Sequence, residues 1–214
     1  TLITGLIANI VAGNAIETQA FNQLISVREN KKSQIADYYT QREHDIALLA
    51  ASTSKILTTD NTSTLTESAH TNHDYFKQFI ETYDYYDLFV IDKQGQIVYT
   101  VTKEADYQTN LVNGTYNNSG LAKLYRRVLQ SNTVGISDFS RYAPSNNEPA
   151  GFIAYRVRTR EGADFIVALQ LSLAKINNVM KERAGMGETG ESYLVGPDLL
   201  MRSDSYLDPQ GRSV

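Results

Sequence analysis

The residues whose types and spacing could do chemistry fall into three groups. His70 and His73 stand three apart, with Glu67 and Asp74 beside them. On a helix that spacing sets both imidazoles on one face, as a metal pair requires. No third ligand follows from the spacing, so the group reads better as a solvated polar face. The second group is Tyr99, Tyr107, Asp138, Arg141, Tyr142 and Tyr155. Aromatic walls with a few fixed charges make a small-molecule pocket; Asp138 suits an ammonium group, and Arg141 a carboxylate gripped by both prongs of the guanidinium. The plainer reading has the tyrosines filling a sheet core and Asp138 capping a turn. Third, Gly185, Gly187 and Gly190 cluster ahead of a strand-like run and not a helix. That makes them a flexible turn between modules, not a phosphate loop.

Several chemistries are excluded. With no cysteine in the sequence there are no disulfides, Cys-zinc sites or thiol nucleophiles. No G-x-S-x-G element occurs. Nothing calls for a cofactor or a metal, and the chain reads as a binding protein and not an enzyme. A net charge of -4 without a basic block makes nucleic acid an unsuitable partner.

The elements that must position these residues begin with a long helix. From Asn14 to Leu57 no Gly or Pro interrupts the chain, and apolar or aromatic residues recur at Ile16, Ala20, Leu24, Val27, Ile35, Tyr38, Ile46, Leu49 and Ile56. At 1.5 Å per residue it spans on the order of 60 Å, more than one domain needs for its own core. It either bridges stacked modules or pairs with a second copy, although Lys31 and Arg42 on the stripe argue against a strict leucine zipper. The run from Leu2 to Ala12 is apolar but shorter than the roughly 20 residues a bilayer takes. It is either the end of a transmembrane helix or an ordinary apolar helix start.

A polar break follows, Thr58 to Thr66, and then a second helix from about Leu65 to Tyr83. The strongest local signal is Tyr85 to Lys103, YYDLFVIDKQGQIVYTVTK, where two β-branched and aromatic runs flank Asp92-Lys93-Gln94-Gly95. This is a β-hairpin, with Gly95 supplying the positive φ of the reversal. Ser119-Gly120 opens a helix to about Gln130. Three strands are expected beyond it, Val134–Phe139, Phe152–Arg158 and Phe165–Leu171, with an exposed Pro-rich loop at 143–149. Five antiparallel strands with helices on one face make an α+β fold. A helix from Leu173 to about Arg183 then carries the chain away, and a further strand pair is expected at 192–195 and 199–202.

Tyr86-Asp87-Leu88-Phe89-Val90-Ile91-Asp92 with Ile97 to Glu104, Tyr142 to Ser145 with Gly151 to Ala154, and above all Gly185 to Asp198 followed by Met201 to Ser205, resemble the double-Cache, PAS-like sensor regions of bacterial methyl-accepting chemotaxis proteins. The resemblance covers most of the chain from about residue 20. It implies an extracytoplasmic, periplasmic segment of an inner-membrane receptor, flanked by transmembrane helices, dimeric, and binding a small molecule. The implied layout is 1–13 as the end of a membrane helix or an apolar helix start, 14–57 as the signalling and dimerisation helix, 58–183 as the membrane-distal PAS-like module, and 184–214 as the start of an incomplete membrane-proximal module. Related regions sit on histidine kinases and nucleotide cyclases, and a non-sensing spacer or adhesion module is the alternative. Leu124-Tyr125-Arg126-Arg127 does not reproduce the family's Tyr, Arg, Trp, Tyr pattern for amino acids, and the chain has no Trp.

Overall fold

The computed structural model describes residues 2–131 and 133–208. Helix α1 (Leu2–Ile56) is one unbroken rod of 55 residues, about 80 Å long at 1.5 Å per residue. It continues through Gly5 and Gly13. Among the described residues no helix is long and apolar enough to cross a membrane. Two shorter helices follow, α2 (Thr62–Thr71) and α3 (His73–Tyr83). The single helix expected here is broken at Asn72, whose amide nitrogen donates to the Ser68 carbonyl at 2.8 Å and competes with the helical ladder.

The hairpin forms as β1 (Asp87–Asp92) and β2 (Ile97–Thr100). Gly95 sits at φ +87, and the Asp92 carboxylate accepts from the Gln94 and Gln96 amides at 2.9 and 2.8 Å. Then come α4 (Gly120–Gln130), β3 (Gly135–Ile136), β4 (Ser140–Tyr142), a 3-10 turn at Ala143–Ser145, β5 (Glu148–Arg158), β6 (Asp164–Leu171) and α5 (Leu173–Lys181). The sheet order is β2-β1-β6-β5-β3, all antiparallel, with β4 added against β5. The strand expected over 134–139 is therefore two short strands, and the sheet has six strands and not five.

Helices cover both faces of this sheet, which corrects the one-face arrangement expected. Leu88, Val90, Val98, Phe165, Val167 and Leu169 point to the side packed by α1, α2, α3 and α5. Phe89, Ile91, Phe152, Ala154, Ile166 and Ala168 point to the other, where α4 lays Leu121, Leu124, Tyr125 and Val128 on them. Strands buried on both faces lose the apolar–polar alternation that would have announced this.

Two other expectations are corrected. Pro144 and Ser145 are buried, because the 3-10 turn folds Ser145 into a polar cluster described below. At 192–202 only a single bridge, Val195 to Met201, replaces the expected strand pair. No third strand among the described residues lies beside it. Residues 209–214 of the segment expected to open a second module lie outside the described residues.

The long helix is held by two cations. Lys31, buried, donates to the Val179 and Glu182 carbonyls at 2.6 and 2.8 Å, capping the end of α5. Arg42 lies over the Tyr38 and Tyr85 rings and pairs with Asp45 at 3.2 Å. N-terminal to Lys31, Leu6, Ile10, Phe21 and Leu24 are exposed. Core truncation and helix truncation should therefore differ sharply. Leu169→Ala, at a fully buried position, is expected to lower the unfolding free energy by about 2–5 kcal/mol. Leu24→Ala is expected to stay within about 0.5 kcal/mol. Urea denaturation of the isolated chain measures both.

Candidate ligand-binding site

At one end of the α4-facing side, the sheet carries polar residues where α4 no longer covers it. Asp87, Gln170 and Phe152 lie side by side on β1, β6 and β5 as cross-strand partners. Asp87 and Gln170 are buried. The segment between β2 and α4 folds over this row. It first pairs with the edge strand, the Ile97 amide donating to the Thr109 carbonyl at 2.9 Å and the Leu111 amide to the Gly95 carbonyl at 2.8 Å. That covers an edge that would otherwise be open, and it brings Glu104 and Asp106 inward. From the opposite side, β4 and the 3-10 turn deliver Tyr142 and Ser145.

The hydrogen bonds define the directions. Tyr142 donates its hydroxyl to the Asp106 carboxylate at 2.5 Å. The Gln170 amide donates to Ser145 Oγ at 3.0 Å, and Ser145 donates to Glu104 at 2.6 Å. Tyr86 donates to the other oxygen of Glu104 at 2.6 Å. Asp87 accepts from the backbone amides of Leu88, Val101 and Thr102 at 2.7, 2.9 and 3.1 Å, and from the Thr102 hydroxyl at 2.6 Å. Two buried acceptors are left over, Asp106 Oδ1 and the Gln170 carbonyl oxygen. Among the described residues no Lys, Arg or His forms an ion pair with Asp87, Glu104 or Asp106.

Burial with like charges nearby works against ionisation here. Loss of solvent pushes Asp87 up to about 6, against its hydrogen bonds and with help from Asp106. Asp106 is raised chiefly by burial, with the Tyr142 hydrogen bond opposing and Glu104 adding to it. The Tyr142 hydroxyl is driven up by burial and by the Asp106 charge. A cationic group would relieve all three, and the two spare oxygens are acceptors suited to its N–H donors.

The six residues expected to line one pocket are divided among four places. Tyr142 belongs to the cluster above. Tyr99, buried on the α2–α3 side, shares a hydrogen bond of 2.8 Å with His73 Nδ1. Tyr107 is 3.0 Å from His70 Nε2. His70 holds the Thr66 carbonyl through Nδ1 at 2.8 Å, so that nitrogen carries hydrogen, and Nε2 pairs with the Tyr107 hydroxyl. The two histidines thus anchor two tyrosines, and no metal-type group of three or more ligands occurs among the described residues. Tyr155 is half-buried against the core on the α1 side. Asp138 and Arg141 line a separate cleft at the β3–β4 edge, where Asp138 is held by Arg202.

Asp87, Glu104, Asp106, Ser145 and Gln170 were not singled out from the sequence. The available signal was charged or amide residues inside strand-like apolar runs: Asp87 opens one run and Gln170 interrupts Phe165–Leu171.

No family model matches the sequence, and no curated protein is similar to it at a significant level. The fold is similar to that of several sensor domains. The ligand-binding domain of the Campylobacter jejuni chemoreceptor Tlp3, in complex with 4-methylisoleucine, superposes with a TM-score of 0.65 at 10% identity, over 87% of this chain and 69% of that one. The ligand-binding domain of the Pseudomonas fluorescens chemoreceptor CtaA, in complex with L-isoleucine, gives 0.62 at 17% identity, over 94% and 74%. The sensor domain of the Vibrio cholerae histidine kinase DctB gives 0.56 at 14% identity, over 76% of this chain and 59% of that one. These likenesses establish the fold, an α+β, PAS-like sheet on a long helix, shared with sensory ligand-binding domains.

The Asp87 environment sets a pH dependence. Below the unfolded value of 3.8 the carboxyl is protonated in both states. As pH rises toward about 6, the unfolded chain loses a proton that the folded one keeps, so stability falls. The full loss above that window is on the order of 3 kcal/mol for this group. Asp87→Asn keeps an acceptor for the backbone amides and cannot ionise. It should gain on the wild type in urea unfolding at pH 7 compared with pH 4.5; a gain at pH 4.5 instead would contradict the assignment.

Proposed function

We propose that the chain is the extracytoplasmic ligand-sensing region of a bacterial transmembrane receptor, a chemoreceptor in the first reading. Its ligand is a small molecule bearing an ammonium or related cationic group. The observation that carries the ligand class is the pair of partnerless buried acceptors, Asp106 Oδ1 and the Gln170 carbonyl, amid three carboxylates with no cation. Tlp3 and CtaA are chemoreceptors crystallised with amino acids, whose ammonium such acceptors would suit. The cluster holds no cationic side chain for a ligand carboxylate, which favours a net cation over a zwitterion. The likeness to DctB keeps a histidine-kinase output as the second reading.

In this account residues 58–183 form the membrane-distal sensing module, 184–214 begin a membrane-proximal one, and α1 carries the signal toward the membrane. Residues 1–13 are either the end of a membrane helix or an apolar helix start. The segment between β2 and α4 opens to admit the ligand, and its closure on Glu104 and Asp106 reports occupancy to the sheet. Lys31 and Arg42 then link the sheet-and-α5 body to α1. The exposed apolar side chains from Leu6 to Leu24 supply a contact for a second copy, helped by membrane tethering.

Calorimetry against primary amines, quaternary amines, zwitterionic amino acids and dicarboxylates tests the ligand class. Tightest binding is expected among the cations. Asp106→Asn, which still accepts from Tyr142, should weaken it roughly thirty-fold or more, the cost of about 2–5 kcal/mol for unpairing a buried charge. Dicarboxylates binding tightest in this cluster, or unchanged amine affinity in Asp106→Asn, would overturn the ligand class. For assembly, Leu24→Cys in the full receptor should give a disulfide-linked dimer on oxidation in membranes. A cysteine scan of residues 6–27 yielding none would count against pairing through α1.

A further inference from the structure

A second site lies apart from the acidic cluster. A cleft of about 500 Å³ opens between α4, the 137–141 segment and the turn at 198–202. That volume falls in the range of small-molecule pockets. Four cationic side chains line it, Lys123, Arg127, Arg141 and Arg202, on a chain whose net charge is -4.

The two carboxylates in the cleft are already spent. Arg202 donates to both oxygens of Asp138 at 3.0, 3.0 and 2.8 Å and to Asp198 at 2.9 Å. Its guanidinium rests on Gly196, where an added Cβ would come within 2.5 Å of Cζ, so the arrangement is fixed from below as well. Asp138 and Asp198 therefore do not neutralise the other cations. Arg127 donates only to the neutral carbonyl of Ile136. The side chains of Lys123 and Arg141 make no hydrogen bond or ion pair with any described residue. Four cations against two carboxylates leave an excess of two positive charges inside a concave, partly apolar wall. Such a wall concentrates the field on whatever enters.

We infer that this cleft binds a small dianion carrying carboxylate or phosphate oxygens. Arg141 and Arg127 present planar donor forks suited to such oxygens, and Lys123 supplies a mobile point charge. Arg202, held rigidly by its two carboxylates, forms the wall. The 137–141 segment that lines the cleft runs directly into Tyr142, which holds Asp106, so β4 contributes to both sites. The site does not depend on the ligand class proposed for the acidic cluster.

The test is calorimetry of the purified chain with succinate, citrate and inorganic phosphate at low ionic strength. At least one is expected to bind, and affinity should fall as salt rises. Lys123→Glu and Arg141→Glu, both at exposed positions that leave the core intact, should each weaken binding about tenfold or more. Lys77→Glu, on α3 and away from the cleft, should leave it unchanged. Preference among the three compounds separates a carboxylate ligand from a phosphate one. No binding of any of them at millimolar concentration, or affinity indifferent to Lys123→Glu and Arg141→Glu, would overturn the inference.

Discussion

The structure depends on a sheet that is buried on both faces. Every residue of β6 from Phe165 to Leu171 is out of solvent, with β1 and β5 hydrogen-bonded on either side. Such a sheet needs a helical layer on each side, and the chain supplies α1, α2, α3 and α5 to one and α4 to the other. It also imposes a penalty on any polar side chain in its central strands, because water cannot reach it. Asp87 and Gln170 are therefore the informative residues of the fold. One is satisfied by three backbone amides and a threonine, and the other is only half satisfied. A buried acceptor without a donor is a cost that a bound cation would remove.

The same constraint separates the two halves of α1. Where the helix crosses the sheet layer, Ile46 and Leu49 are fully buried, and its cations are turned to internal use, Lys31 on the carbonyls of α5 and Arg42 between two tyrosine rings. Burial lowers the Lys31 ammonium below the usual lysine range, while the Glu182 charge works the other way. Beyond Lys31 the helix has apolar side chains and no sheet to cover them. The rod is thus fixed at one end to the sheet-and-α5 body, while the side chains of its N-terminal half stay exposed.

Much of the fold was legible because its signals are local. Gly95 between two β-branched runs specified the hairpin, and Ser119 ahead of an apolar stripe specified α4 with its true ends. The second helical layer was not legible, since strands buried on both faces read as continuous apolar runs without alternation. The split into β3 and β4 and the break at Asn72 depend on tertiary contacts that no short window contains. The candidate site was least legible of all. Asp138 has the chemistry of a ligand contact, but a guanidinium 64 positions further along the chain claims it. Asp106 carries no local signal; its place is set only where its segment folds over Gln170 and Tyr142.

The most direct measurement is a crystal structure of the chain with the cationic compound that binds it best. The account predicts ligand density over the Asp87–Gln170 row, with its charged nitrogen at about 3 Å, hydrogen-bond distance, from Asp106 Oδ1 or the Gln170 carbonyl. Density for the compound elsewhere, with both of those oxygens paired to protein donors, would contradict it.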